Sequence, residues 1–586
     1  MELVAIPSYA DVFGEEPPEI KDLIADVPSK AVIALLSAIN AELFLEDRDE
    51  DTQLKLFRFV TKRFTEKQKN QIFKSFYPFV KEGKKFFPLF NLAYTTTFIE
   101  YELLNFRNFH IEDTNPEQEF RVFKSYLIII QKVNDESKNI FNGKPLDNEE
   151  KEQFFQIKTW PFFIKQFDFS YKVEPIFQAI KSLVTFDHLY RNEDTQIYVK
   201  SFLSKVGKNN FWQYVFDFIE LVKISFDSNI ELNFRNFSII AKSEFEPFLD
   251  FLSIDLLEFQ NDKKLQIDFL GIRKKPLLKI DKSTYLVMYW NFLYNQVNLG
   301  MLFDFYARSG INSKFKSFPD FKNYTATAIS EDLLFKNIIR KSFSKKGSKL
   351  IFDNKISDGL PDCYYRQGKY IYLFEFKDCL MPADVIHSSD YKKIKADIDS
   401  KFISNNSGKN KGIRQLLQQV KELNIKPYKS DDFIEEGIKK RNIVVYPILV
   451  YTHFMYSMPG INNYLNKHFR KEFESYFSEN KLELAQVRDI TMIDFEFFYR
   501  NFLNLAENRI KFKDLLDEYH KRINRQEKKA SKSADINEFI NSFSSFDEIK
   551  LDYKNNISQG YSKGYIGSLL EVLQISPNIN NSESNI

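Results

Sequence analysis

Residues 359–378, GLPDCYYRQGKYIYLFEFKD, constrain the fold more than any other stretch of the chain. Two runs rich in Tyr, Ile and Phe flank Gln367-Gly368, which is the pattern of a β-hairpin with a tight turn. Successive side chains of a strand point to opposite faces, so Glu375 and Lys377 share one face while the aromatic residues beside them point to the other. An otherwise apolar strand is therefore predicted to carry two charges on one face.

The same hairpin is predicted to bring a third charge to this place. Asp362 begins the first strand, so antiparallel pairing puts it within cross-strand reach of Glu375 and Lys377. Two carboxylates held together raise each other's pKa unless they share a cation, and Mg²⁺ prefers oxygen ligands. A nearby lysine can help to deprotonate an attacking water and can offset charge on a phosphate. The residues thus predict metal-dependent phosphodiester hydrolysis, with solvated surface charge as the alternative.

The Pro-Asp at 361–362 and the Glu-Phe-Lys at 375–377 resemble the signature of the PD-(D/E)xK nuclease superfamily. The resemblance extends over about residues 328–455 and includes the order helix, three strands, helix, strand. It implies an α/β restriction-endonuclease-like core with a mixed sheet. It also implies that Asp362 and Glu375 bind Mg²⁺, for which Mn²⁺ can substitute, and that the lysine is catalytic.

Two further residues enter through the same resemblance. Glu331, on the first helix, matches a glutamate that joins the metal site in that family, and Gln415 matches a glutamine on the helix after the motif. Gln419 is a weaker candidate, because the branch with a Gln-x-x-x-Tyr motif has tyrosine at this position. An acidic residue in the first turn also interacts well with a helix dipole, so a structural role for Glu331 stays open.

Basic residues flank the motif in the sequence. Residues 340–349 carry five basic and no acidic side chains, and residues 391–414 have a net charge of +5. Because nucleic-acid phosphates need counter-charge, both stretches are predicted to contact nucleic acid, with solvated loops as the alternative. The candidate contacts are Lys345, Lys346, Lys392, Lys393, Lys409, Lys411 and Arg414.

The length and the change of periodicity along the chain predict a multidomain α+β protein. A chain of 586 residues exceeds the size of a single core. Residues 1–255 show helical spacing and are predicted to be a helical regulatory or partner-binding region. Residues 256–327 are predicted to form a β-containing connector, and residues 328–520 the nuclease domain. Residues 521–586 are predicted to be a basic linker and a C-terminal tail, partly disordered.

Local signals give four finer predictions. Ser330 is a plausible N-cap and predicts that a helix starts there. Residues 264–272, KLQIDFLGI, alternate in the manner of a strand. Pro447 within the predicted strand 442–453 indicates an edge, a bulge or a strand end. Residues 521–535, KRINRQEKKASKSAD, have the composition of an exposed basic linker.

Several protein classes are excluded by composition and motifs. The net charge of +2 excludes a uniformly basic nucleic-acid coat, and two cysteines cannot form a disulfide framework. The first residues lack the basic start and apolar run of a signal peptide, and no run approaches the ~20 apolar residues of a membrane span. There is no P-loop motif. The chain is predicted to be cytoplasmic, with no membrane partner.

These observations predict a Mg²⁺-dependent nuclease whose helical half binds a regulatory ligand or a protein. DNA is favoured over RNA because the resembled superfamily acts mostly on DNA; endonuclease and exonuclease action both stay open, as does homo-oligomerisation. Bacterial antiviral defence or mobile-element biology would suit such a protein by analogy. The alternative is a docking module without catalysis, built on a nuclease-like fold, although the intact Asp362, Glu375 and Lys377 argue against it.

Overall fold

The computed structural model describes residues 6–46, 49–76, 89–109, 114–141, 153–229, 234–353, 360–405, 407–532, 540–547 and 563–575. It is a mixed α+β structure in which helices dominate the first 226 residues and a mixed sheet lies in the C-terminal half. Within the described residues, no helix is both long enough and apolar enough to span a membrane.

The N-terminal part is helical, as the spacing of its apolar residues predicts. Its helices are α1 (Tyr9–Phe13), α2 (Ile20–Leu23), α3 (Ser29–Glu46), α4 (Glu50–Val60), α5 (Glu66–Phe76), α6 (Leu92–Leu104), α7 (Pro116–Phe141), α8 (Phe154–Ser170), α9 (Pro175–Arg191), α10 (Glu193–Lys205) and α11 (Phe211–Phe226). Several begin at residues whose side chains accept from the first free backbone N–H groups, as Asn210 does from Gln213 at 2.9 Å.

Short strands and helices follow in the connecting region. Strands β1 (Ser228–Asn229) and β2 (Phe234–Arg235) pair with each other, and β5 (Thr284–Val287) lies between β3 (Ser238–Ile240) and β4 (Leu277–Lys279). The helices are α12 (Glu246–Phe251), α13 (Leu256–Asn261), α14 (Leu270–Lys274), α15 (Trp290–Asn295) and α16 (Met301–Arg308). The strand prediction for 264–272 is wrong, because a 3₁₀ turn at Lys263–Gln266 and α14 occupy this stretch.

The central sheet contains strands β6 (Ser348–Phe352), β7 (Cys363–Gln367), β8 (Tyr370–Lys377), β9 (Val444–Tyr451), β10 (Gln486–Val487) and β11 (Thr491–Asp494). Its order is β10-β9-β8-β7-β6, and β11 also pairs with β9. The hairpins β6–β7 and β7–β8 are antiparallel, whereas β8, β9 and β11 run parallel. The carboxyl ends of these three strands consequently share one edge of the sheet.

Apolar side chains on both faces of the sheet are buried, as is typical of strands covered by helices. On one face, Phe374 and Phe376 join the core of the N-terminal helices, and Phe335 stacks on Phe376 with ring centroids 4.7 Å apart. On the other face, Leu373 packs against helices of the C-terminal half and against Trp160 of α8. The helical half therefore contributes to the cores on both faces of the sheet.

The helix before β6 starts earlier than the sequence predicts. Helix α17 (Phe318–Thr325) begins after Ser317, whose hydroxyl accepts from the Asp320 N–H at 3.3 Å. The chain continues through a π-helical segment, Ala326–Phe335, into α18 (Lys336–Ser342). Ser330 is thus inside a helix and is not its cap. The predicted boundary between residues 327 and 328 also falls within this continuous helical rod.

The remaining helices cover the sheet and complete the C-terminal part. They are α19 (Ala383–Ser388), α20 (Tyr391–Phe402), α21 (Gly412–Ile425), α22 (Ile461–Glu479), α23 (Phe495–Ala506), α24 (Phe512–Ala530) and α25 (Lys563–Val572). Helix α24 overturns the linker prediction over 521–530, because its buried side chains recur at helical spacing and Ala530 is buried. Residues 533–539 and 576–586 lie outside the described residues.

Pro447 is accommodated at a break in the neighbouring strand. The carbonyls of Ile443 and Val445 accept from Ala485 and Arg488 at 2.9 and 2.8 Å, so alternate residues of β9 face this neighbour. Two residues further on, Pro447 faces the gap where β10 has ended and β11 has not begun. The strand itself lies inside the sheet, and the absent proline N–H costs no ladder hydrogen bond.

Candidate active site

The β7–β8 hairpin brings Asp362 to the end of β8. Cys363 pairs with Phe374, so Asp362 lies one step further along, at the level of Glu375. Its Oδ2 accepts a hydrogen bond from the Phe376 N–H at 2.7 Å, which fixes the carboxylate against the β8 backbone. The sequence prediction that both carboxylates meet at one end of the hairpin agrees with this register.

Glu375 and Lys377 form an ion pair on the same face of β8. The Lys377 Nζ lies 2.6 Å from Glu375 Oε1, and the Glu375 side chain is only 2% exposed. The same ammonium donates to Gln415 Oε1 at 3.1 Å. Gln415 is on α21, which packs over this face of the sheet. The structure thus brings together four of the five residues predicted to be catalytic.

Gln419 completes the contact between α21 and the strand. It is four residues after Gln415, so both side chains lie on one face of the helix. Its Nε2 donates to Glu375 Oε2 at 3.4 Å, while its Oε1 is buried without a hydrogen-bond partner among the described residues. The sequence pointed only weakly to Gln419. The i, i+4 spacing was the signal that could have paired it with Gln415.

The charges in this group are not balanced. Burial and the neighbouring Asp362 raise the pKa of Glu375 to about 7, against the opposing effect of Lys377. Burial also raises the pKa of Asp362, although Lys377 and the Phe376 N–H counteract it. Burial alone would lower the pKa of Lys377, but Glu375 and Asp362 raise it. With both acids ionised, the ammonium in direct contact faces two carboxylates, and one buried negative charge is offset only by the more distant Lys336 and Lys411.

Glu331 lies on the helical rod whose Phe335 packs against the opposite face of the sheet. Burial raises the pKa of Asp362, and the charge of Lys336 on the same rod counteracts this effect. The Glu331 carboxylate is 3.6 Å from the Lys336 Nζ, which also donates to Asp332 at 2.7 Å. Within the described ranges, no three His, Cys, Asp or Glu side chains are grouped so that they could hold a metal ion. Glu331 therefore does not form a three-carboxylate group with Asp362 and Glu375. The prediction that it lies in the first turn of a helix is also wrong, because the helical rod begins well before it.

The predicted nucleic-acid contacts divide between the two ends of the hairpin. Lys345 and Lys346 precede β6, whose first residue pairs with Gln367 at the turn end. At about 3.3 Å per residue of strand, the turn end of the hairpin is roughly 15 Å from Asp362. Lys345 also donates to Asn508 at 2.9 Å. These two lysines are therefore not beside the site.

The second basic stretch lies partly at the site. Burial and the charges of Lys377 and Lys409 lower the pKa of Lys411, which places Lys411 near the Lys377 ammonium. Arg414 is bound to Glu472 at 2.8 Å. Lys392 and Lys393 are exposed in the first turn of α20. Lys411 is the member that the structure brings to the charge cluster, with Lys409 beside it.

No family model, no curated protein and no solved structure matches this chain. The resemblance to the PD-(D/E)xK superfamily consequently depends on the residues of the cluster and on the order of the elements that carry them.

Proposed function

We propose that the protein is a metal-dependent nuclease that hydrolyses phosphodiester bonds, in DNA rather than RNA. The observation that carries the proposal is the convergence of Asp362, Glu375 and Lys377 at one end of β8, under a helix that presents Gln415 and Gln419 to them. If the motif had arisen by chance, there would be no reason for a helix from elsewhere in the chain to supply hydrogen-bond partners to both Glu375 and Lys377.

The donor set fits a small divalent cation. Asp362 and Glu375 would hold it, because Mg²⁺ binds through one or two carboxylates and completes its shell with water and phosphate oxygens. The excess negative charge and the unpartnered Oε1 of Gln419 are both suited to a hydrated cation. When bound, Mg²⁺ or Mn²⁺ would supply positive charge to the phosphate and lower the pKa of water.

The chain's own groups supply the remaining chemistry. The Lys377 ammonium, held by Glu375 and Gln415, would stabilise charge on the phosphate. Gln415 orients this ammonium, and Gln419 orients the Glu375 carboxylate. Lys409 and Lys411 would balance the phosphates on either side of the scissile bond.

The preference for DNA and a role in bacterial defence or mobile-element biology follow from the family resemblance. The helical half would then act as the regulatory or partner-binding region. It packs against both faces of the sheet, so a change in its arrangement would reach the strands that carry the cluster.

Cleavage assays test the proposal directly. Purified protein is incubated with single-stranded DNA, double-stranded DNA and RNA, with Mg²⁺, with Mn²⁺ or with a chelator. Asp362→Asn protein, purified in parallel, controls for contaminating nucleases. We expect metal-dependent cleavage by the wild type alone. Equal cleavage by both proteins, or none with any substrate and metal, would contradict the proposal.

A further inference from the structure

A polar cavity lies between the helical half and the carboxyl edge of the sheet, away from the Gln415 and Gln419 face. Its walls come from α9, from the helical rods at 290–308 and 318–342, and from the segments that follow β8 and β9. The cavity volume is about 80 Å³. One water needs about 10–15 Å³ measured in this way, so several waters or a phosphate-sized group fit.

Two lysines, Lys181 and Lys322, line the cavity. Two carboxylates also line it, but both are already engaged. Asp378 is bound to the Lys322 ammonium and accepts from the Thr452 hydroxyl at 2.6 Å. Glu496 accepts from Gln178 at 3.4 Å and lies 3.3 Å from an Arg500 nitrogen. The acids therefore leave no free negative charge for a cation.

Lys181 is the positive charge that remains. It projects from α9 and lines the cavity, yet its ammonium has no hydrogen bond or ion pair with any residue that the structure describes. Burial, Glu496 and Asp547 raise the pKa of the nearby Asp494 and the charge of Lys181 lowers it, but no hydrogen bond or ion pair joins these two side chains in the described structure. An anion in the cavity would supply the missing partner.

His453 also lines this wall. The residue is only 8% exposed, and its Nδ1 is buried without a hydrogen-bond partner in the described part of the chain. Burial, with the charges of Lys401 and Lys322, lowers the pKa of the ring to about 3, so the imidazole is neutral and can donate one N–H.

The backbone around the cavity is also unusual. Both helical rods change to π-helix where they line it, at Gln296–Gly300 and at Ala326–Phe335. Asn298 and Ser330 reach the cavity from these segments. π-Helix accounts for well under 1% of residues in globular proteins and is frequent at functional sites. Two such segments at one cavity indicate a wall shaped for an occupant.

We propose that this cavity binds a phosphate-sized anion, either free or as the terminal phosphate of a nucleotide, through Lys181 and Asn298. The site is separate from the metal-dependent cluster and does not require nuclease activity. Its occupant would connect α9 to Asp378, the residue that directly follows Lys377 in the chain.

Thermal melting and calorimetry with the full chain test this site. Inorganic phosphate is titrated at constant ionic strength against chloride, in chelator and without nucleic acid. A nucleoside 5′-monophosphate and the corresponding nucleoside are titrated in parallel. We expect phosphate to raise the melting temperature where chloride does not. Binding of the monophosphate without binding of inorganic phosphate identifies a nucleotide as the source, and binding of both identifies a free anion.

Substitutions test whether phosphate binds in this cavity. Lys181→Met and Asn298→Asp should each weaken binding on the order of tenfold or more, because a charge-assisted hydrogen bond is lost or a repelling charge is added. Lys200→Met, which changes an exposed lysine of α10, should bind as the wild type does. Lys181→Arg should retain binding and shows that loss in Lys181→Met is not misfolding. An unchanged affinity in both weakening variants, or no phosphate effect in the wild type, overturns the proposal.

Discussion

Two groups of buried acids lie at the same edge of the central sheet and are built differently. The first contains Asp362 and Glu375 at the end of β8 and has the Lys377 ammonium 2.6 Å from one carboxylate. The second contains Asp494, Glu496 and Asp547 at the ends of β9 and β11. Burial raises the pKa of acids in both groups.

The partners of the acids separate the two groups. Asp547 accepts from the Tyr451 hydroxyl at 2.7 Å and from the Asp494 N–H at 3.1 Å, and Asp494 accepts from the Glu496 N–H at 2.9 Å. The first two contacts hold Asp547 against the sheet, and the third is the N-terminal cap of α23. In the first group, Asp362 also accepts from a backbone N–H, but Glu375 is contacted by the side chains of an ammonium and an amide. A second amide accepts from that ammonium, and one amide oxygen has no partner among the described residues. A raised carboxyl pKa alone therefore does not identify a catalytic site.

The largest effect is expected from removing the ammonium of the first group. Lys377→Met should reduce cleavage by roughly 10²-fold or more, as losses of other preorganised charge-stabilising groups do. Asp547→Asn, in the second group, should leave the rate of cleavage nearly unchanged. Initial rates below the melting temperature of each variant measure both. Equal losses in the two variants would remove the functional distinction between the groups.

The next effect concerns the metal. In wild-type protein, Mg²⁺ or Mn²⁺ should raise the melting temperature, since a ligand at a hundred times its Kd stabilises by about 2.7 kcal/mol. Glu375→Gln should lose this rise, and its melting temperature in chelator measures separately the cost of losing the buried ion pair with Lys377. Asp547→Asn serves as the control that keeps the rise. A full metal response in Glu375→Gln would exclude this carboxylate as a ligand.

The third prediction concerns the second group, whose contribution to the stability of the fold should depend on pH. Burial, with a contribution from Glu496, raises the pKa of Asp547 to about 6 in the folded protein. The folded state thus prefers the protonated acid, and the stability that this group contributes is present below its unfolded value near 3.9 and is lost as the pH rises through about 6. Asp547→Asn keeps an accepting oxygen without ionising.

Relative to the wild type, Asp547→Asn should accordingly gain on the order of 2 kcal/mol in free energy of unfolding between pH 4 and pH 7. Urea denaturation of both proteins across this range measures the difference. A constant difference between the two proteins at every pH would show that Asp547 does not titrate there.

The smallest effect is expected at the amides of α21. Gln415→Leu and Gln419→Leu should each slow cleavage by roughly tenfold, because each removes one hydrogen bond to a charged group, worth about 1.5 kcal/mol. Gln418→Leu is the matched control: it is exposed on the same helix and donates to Glu422 at 2.9 Å. Rates at saturating substrate distinguish a positioning role from weaker binding. If the control slows cleavage equally, the two amides have no special role.

Local sequence patterns predicted the hairpin correctly but misplaced several helix boundaries. The alternation in β8 settled which side chains share a face, because that geometry belongs to the strand alone. Ser330 carried a valid capping signal, but Phe321, Ile329 and Phe335 are all buried, and their packing extends the helix through it. The basic composition of residues 521–530 concealed helical spacing, since lysine and arginine cover the exposed side of α24.

The sequence by itself determined the helical first half, the β7–β8 hairpin and the meeting of Asp362 with Glu375, because each depends on backbone periodicity within a few turns or one strand pair. Only the tertiary structure decided that Gln415 and Gln419 face these charges, that Glu331 pairs with Lys336, and that Lys345 lies at the far end of the hairpin. These relations depend on how distant elements pack. Packing is set by the shape of the whole core, which no short window of residues contains.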